Sequence, residues 1–89
     1  LFSNKINYYS MKNKILDFVC QTTFVDPNKI NEETLLFEEG IFDSLGLLNL
    51  IAFLEKDFHV KVDDSDLDAE NFESIRAIES FVQKKLCVG

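Results

Sequence analysis

The stretch Gly40-Ile41-Phe42-Asp43-Ser44-Leu45-Gly46-Leu47-Leu48-Asn49-Leu50-Ile51-Ala52-Phe53-Leu54-Glu55-Lys56-Asp57-Phe58 decides how this chain is read. Leu47, Leu50, Ile51, Leu54 and Phe58 recur at three- and four-residue intervals, the repeat of one helical face. The spacing predicts a helix from about Ser44 to Phe58. Either Asp43 or Ser44 can cap it, because each side chain can accept a hydrogen bond from an unpaired N–H of the first turn. His59 stands where this helix should stop. Histidine tolerates the left-handed conformation used there, so His59 reads as a surface stop residue and not as a catalyst. Leu45, Leu48 and Ala52 fall on a different face. Such a helix is apolar on more sides than a small bundle can cover, so one face is either a partner surface or a second packing surface.

Working toward the N-terminus, a long loop is expected from Val25 to about Asp43. It holds Leu35, Leu36, Phe37, Ile41 and Phe42, which should lie against a core, and Gly40 supplies a turn. Loops of this length in small domains are often functional. Before it, Ile15, Phe18 and Val19, widened by Leu16 and Cys20, predict a helix from roughly Met11 to Phe24, ended by Asp26-Pro27. Leu1 to Ser10 lacks the apolar core of a signal peptide. It reads as a disordered extension or expression remnant ahead of a natural start at Met11, leaving 11–89 as the folded domain.

Toward the C-terminus, Val60-Lys61-Val62 is a short extended link. Asp63 to Ala69 should contain a short helical turn around Leu67, with Phe72 anchoring the next loop. A last helix is predicted from about Ser74, its N-cap, to Leu86. Its buried face comprises Ile75, Ile78, Phe81, Val82 and Leu86, while Arg76 and Glu79 face water. No segment shows sustained strand alternation. The expected fold class is therefore all-α: a small up-down four-helix bundle of three main helices and one short one, with a long first loop.

The 89 residues suffice for one domain, and 46% hydrophobic content favours folding. Nine Phe and no Trp mean that phenylalanine supplies much of the buried area. The net charge of -7 argues against nucleic acid or an anionic membrane as partner and favours a basic protein surface. From Glu32 to Glu73 thirteen Asp and Glu face two Lys, a local charge of -11. Cys20 and Cys87 form no CxxC or Cys/His cluster, so no metal site is predicted. Two lone cysteines fit a reducing cytoplasm better than a disulfide scaffold, although a Cys20–Cys87 bond stays open; Cys20 reads as a small core residue. No apolar run is long enough to cross a membrane.

The chemistry is concentrated at Ser44. A serine on the first turn of an amphipathic helix, at the tip of a long loop, presents an exposed hydroxyl. The free N–H groups and partial positive charge there suit a phosphate ester. The single His has no triad partner in view and the pattern GxSxG is absent. A serine without its own base points to modification by another enzyme.

At this point the chain resembles the phosphopantetheine-dependent carrier proteins. The resemblance rests on Leu36-Phe37-Glu38-Glu39-Gly40-Ile41-Phe42-Asp43-Ser44-Leu45, then Leu50, Leu54-Glu55-Lys56-Asp57-Phe58, Val60, Val62, Phe72, Ser74, Ile75 and Ile78 to Val82. It implies an acyl carrier protein-like bundle with 4'-phosphopantetheine, derived from coenzyme A, attached covalently to Ser44 by a phosphopantetheinyl transferase. Asp43 would help place Mg2+ and coenzyme A at that enzyme. The arm would hold an acyl or aminoacyl group as a thioester, and the carrier itself would catalyse nothing. Where fatty-acid carriers place acidic residues after the serine, this chain has Gly46, Leu47, Leu48 and Asn49, with no charge until Glu55. An apolar docking face of Leu45, Leu48, Asn49 and Ala52 is more similar to D-alanyl carrier proteins or stand-alone carriers. It implies an adenylate-forming ligase and a downstream acyltransferase or synthase as partners of a cytoplasmic monomer.

Two other readings compete. Asp64, Asp66 and Asp68 alternate as in a calcium-binding loop, but Ala69 replaces the turn glycine and Ile75 the bidentate Glu. A small helical interaction module without a prosthetic group explains the bundle equally well, but not the Asp43-Ser44-Leu45 tip.

Overall fold

Four helices form close to where the apolar periodicity places them. The computed structural model describes residues 8–87. Helix α1 (Tyr8–Thr23) buries Met11, Ile15 and Val19, a row spaced by four that faces the core completely. It starts three residues ahead of the expected Met11; residues 1–7 of the expected extension lie outside the described residues. Its end also comes earlier than Asp26-Pro27 would dictate. Phe24 turns left-handed (φ 63°) and its N–H donates to the Cys20 carbonyl at 2.8 Å, closing the helix. This conformation normally favours glycine, and Phe24 adopts it while 91% exposed. Asp26 instead caps a 3-10 turn at Pro27–Lys29, accepting from the Asn28 N–H at 2.9 Å.

Helix α2 (Ser44–Phe58) buries Leu50, Leu54 and Phe58, while Leu47 and Ile51 are half-buried, so the covered stripe is narrower than expected. His59 closes it in the left-handed conformation, φ 58°, exposed as anticipated. The short helix is displaced from its expected position. Leu67 lies between a 3-10 turn (Asp64–Asp66) and helix α3 (Ala69–Phe72), and is half exposed. Asp68 caps α3 through the Glu70 N–H at 3.1 Å and Phe72 is buried, so the cap and the apolar anchor set the helix, not Leu67.

Helix α4 (Ile75–Cys87) is capped by Ser74, whose hydroxyl accepts from the Ala77 N–H at 3.1 Å. Ile75, Ile78, Phe81 and Val82 are buried; Leu86 is exposed, because it lies in the last turn where less of the bundle remains to cover it. Arg76 faces water, but Glu79 is half-buried. Cys20 packs at the edge of the core as a free thiol, and burial, then Asp17 and Asp26, push its pKa up.

Helix α1 packs against both α2 and α4, and α3 lies on α4. Phe18 and Phe53 stack at 4.4 Å between α1 and α2, and Phe72 meets Phe81 edge-on at 5.1 Å between α3 and α4. The result is the small all-α bundle of three main helices and one short one, with no strand among the described residues.

The long loop is stitched to this bundle through its backbone. The Leu36 N–H donates to the Glu73 carbonyl at 2.8 Å, and the Leu36 carbonyl accepts from Ile41 at 2.9 Å and Phe42 at 3.0 Å. The Arg76 N–H donates to the Glu32 carbonyl at 3.0 Å, while its guanidinium pairs with Glu32 and Glu33. Ile30, Leu36 and Phe42 are the loop's buried anchors. Leu35, expected to lie inward, is exposed; turn geometry sends its neighbour Leu36 into the core instead.

Candidate functional site

The site begins with how the loop delivers the chain into α2. Gly40 takes φ 75°, a left-handed conformation that reverses the chain over the Leu36 carbonyl. Phe42 then drops into the core beside Phe37 (ring centroids 5.9 Å apart), which holds the next residue at the surface. A Cβ on Gly46 would lie 3.0 Å from the Phe42 ring, so glycine lets that ring cover the first turn of α2.

Of the two capping residues the sequence left open, Asp43 is the one used. Its backbone is extended (φ -120°, ψ -170°), its Oδ1 accepts from the Gly46 N–H at 2.8 Å, and its carbonyl accepts from Leu47 at 3.0 Å. Ser44 is therefore the first helical residue and is exposed. Because Asp43 does the capping, the Ser44 hydroxyl is free of that duty. The positive end of a 15-residue helix lies beneath it. His59 sits at the opposite end of α2, about 22 Å away at ~1.5 Å of rise per residue, too far to act as a base for Ser44.

The other sequence-derived residues share one side of α2. Leu45 is 64% and Leu48 61% exposed, and Asn49 and Ala52 also face solvent. They form a continuous surface adjoining Ser44, since i, i+3, i+4 and i+7 lie together on a helix. The Asp63–Asp68 segment serves a different purpose. The Asp66 carboxylate accepts from the Asp63 N–H at 2.9 Å and pairs with Lys85 at 2.6 Å, and Asp68 caps α3. Among the described residues no group of three His, Cys, Asp or Glu side chains is placed to hold a metal ion, and no helix is long and apolar enough to cross a membrane.

Sequence reasoning missed Thr22 and Thr23, which join Gly40, Asp43, Leu45 and Asn49 around a groove beside Ser44. Thr23 reads locally only as a helix-end residue, its hydroxyl donating to the Val19 carbonyl at 2.7 Å. Nothing in the sequence signals that α1 would end beside α2.

A family model described as "Phosphopantetheine attachment site" matches residues 13–82, which take in the loop, α2 and α3 whole and most of α1 and α4. The chain is 36% identical over 73 residues to an acyl carrier protein of Thermotoga maritima, covering 82% of this chain and 88% of that protein. It is 33% identical over 75 residues to a D-alanyl carrier protein of Lactococcus lactis, covering 84% of this chain and 95% of that protein. A capped helix with an exposed serine at its first position, in a four-helix bundle with these relatives, leads to one conclusion: the chain belongs to the phosphopantetheine carrier protein family, whose prosthetic group is a covalently attached 4'-phosphopantetheine.

Proposed function

We propose that Ser44 is the attachment point and that the chain carries an acyl or aminoacyl group between partner enzymes. The observation that carries this reading is the division of labour at the start of α2. Asp43 satisfies the Gly46 N–H, and the Ser44 hydroxyl is left exposed above the positive helix end. In the modification step the Ser44 oxygen forms a bond to the β-phosphorus of coenzyme A. The bond between that phosphorus and the bridging oxygen breaks, adenosine 3',5'-bisphosphate leaves, and the serine proton passes to a base on the phosphopantetheinyl transferase. Asp43 lies next to the hydroxyl, suited to help place the Mg2+ that accompanies coenzyme A there. When attached, the arm supplies a terminal thiol that holds cargo as a thioester. The chain's own contribution is to tether that cargo and so raise its effective concentration at successive active sites.

Leu45, Leu48, Asn49 and Ala52 are the docking face in this reading. Their uncharged and, apart from the Asn49 amide, apolar character favours partners that recognise shape and hydrophobic contact over a row of carboxylates. It favours an adenylate-forming ligase as the loading enzyme and a downstream acyltransferase or synthase as the recipient; the carrier itself is, in this reading, a non-catalytic cytoplasmic monomer. The -7 charge disfavours nucleic acid and anionic membranes as partners. The test is intact-protein mass spectrometry after incubation with coenzyme A and a promiscuous transferase. Native protein should gain one phosphopantetheine, and Ser44→Ala should gain none. A gain that persists in Ser44→Ala, or native protein left bare by a demonstrably active transferase, overturns the assignment.

A further inference from the structure

Phe24 stands apart from the other phenylalanines among the described residues. Each of the others meets a second aromatic ring. Phe24 meets none and is 91% exposed. It is also left-handed, φ 63°, a conformation in which a bulky side chain crowds its own backbone. A single exposed apolar residue is ordinary; one held in a strained conformation is not, and such strain gathers at functional sites.

The fold accounts for the backbone at this position but not for the ring. The Phe24 N–H closes α1 on the Cys20 carbonyl at 2.8 Å, and Val25 then turns inward against the core. That path needs a left-handed residue at position 24, which Asn or Gly would supply with less strain. The surroundings of the ring are specific. Its predecessor Thr23 lines the groove beside Ser44 together with Asp43 and Leu45, the two neighbours of that serine. Asp17 and Asp26 lie close enough to the Cys20–Phe24 turn to raise the Cys20 pKa. Glu38 and Glu39 lead into Gly40, which lines the same groove. These four carboxylates are exposed, and no ion pair among the described residues engages them.

We propose that Phe24 is an anchor for the phosphopantetheinyl transferase, its ring filling an apolar pocket on that enzyme rimmed by Lys or Arg. The proposal rests on the Ser44 reading above. Aromatic side chains are enriched at the centres of protein contacts, and the carboxylates around this one supply charge complementarity to a basic rim. The transferase is singled out among the partners by reach. It must bring the Ser44 oxygen itself to the phosphorus of coenzyme A, so it has to close on the bundle directly beside Ser44. A ligase or acyltransferase works at the thiol, a full arm's length away. Phe24 leads out of the groove wall next to Ser44 and lies on α1's end, so it extends the contact beyond α2. The left-handed backbone is the cost of turning a ring outward at that point.

The experiment measures kcat and KM for phosphopantetheine transfer by the transferase of the same organism, with native protein, Phe24→Asn and Phe24→Tyr as acceptors. Mass spectrometry first locates the modification. Phe24→Asn suits the left-handed backbone, so its melting temperature should equal or exceed that of native protein. Its KM should nevertheless rise about tenfold with kcat unchanged, the signature of lost uniform binding. Phe24→Tyr keeps the ring and should retain the native KM. A native KM for Phe24→Asn overturns the anchor alone, as does a lowered melting temperature, which would show the ring serving the fold. An unchanged transfer KM combined with slower loading of the arm thiol assigns the ring to the ligase and also overturns the proposal. Modification of native protein at a residue other than Ser44 overturns the underlying assignment, and the anchor with it.

Discussion

Asp43 and Ser44 are neighbours with opposite tasks, and the difference is one of backbone position. Asp43 is extended and outside the helix, so its carboxylate reaches back to the Gly46 N–H; Ser44 is already helical and points its hydroxyl outward. Replacing Asp43 by Ala should cost about 1 kcal/mol of stability through the lost cap, read by urea denaturation. Asp43→Asn separates the two roles. It keeps a capping oxygen and should stay near native stability, yet slow phosphopantetheinylation if the carboxylate serves the transferase's metal. Equal modification rates for Asn and Asp would remove Asp43 from that role. Both residues were legible in the sequence because capping is a local interaction over three residues. Which of them caps was not legible, because both side chains can accept the same bond and the entry angle set by buried Phe42 decides.

At the scale of the element, α2 carries two faces with different fates. Leu50, Leu54 and Phe58 are covered, while Leu45 and Leu48 keep more than half of their surface in water. An isolated small domain gains nothing from exposing two leucines on one helix side, which is why that side is read as a docking face. Leu48→Glu should change stability by no more than ~0.5 kcal/mol, as expected of an exposed position. It should slow loading by the cognate ligase about tenfold, equivalent to ~1.4 kcal/mol of lost contact. Unchanged loading kinetics would sink the docking face while leaving Ser44 untouched. The short helix shows where periodicity fails. Four residues hold little more than one turn, so Leu67 carried no usable phase information, and the Asp68 cap with buried Phe72 settled the helix at Ala69–Phe72.

At the scale of the molecule, the ionic contacts join segments distant in sequence, and they make stability depend on pH. Lys85 of α4 reaches Asp66 at 2.6 Å and Asp63 at 3.6 Å, tying the 3-10 turn to the bundle. The hydrogen bond from Lys85, and then that from the Asp63 N–H, hold the Asp66 carboxyl below the usual carboxylate range. Its contribution is therefore present above the ordinary Asp pKa and is lost as pH falls through the lowered value. The same bond raises the Lys85 pKa, so that contribution is present below the ordinary lysine pKa and lost as pH rises through the raised one. Glu79 acts in the opposite sense on the acid side. Burial pushes its pKa up, and the penalty on its charged form is relieved as pH falls through that value. Thermal melts should find Asp66→Asn less stable than native protein at neutral pH, with the two curves converging in acid once Asp66 is protonated. A difference that persists unchanged into acid would show that the pair is not its source.

Short-range chemistry was enough to read most of this protein from its amino acids. Apolar spacing located the three long helices, Ser74 their last cap, His59 a stop, and the run Gly40 to Leu45 the serine and its setting. These depend on residues within four or five positions of one another, where backbone geometry leaves few options. What folding alone decided lies between segments. It chose Leu36 over Leu35 as the loop's anchor, turned Leu86 out, and engaged Asp66 with Lys85. It also brought Thr22 of α1 and Asn49 of α2 together to line the groove next to Ser44. Each of those outcomes depends on which faces of two elements meet, a relation that no local periodicity encodes.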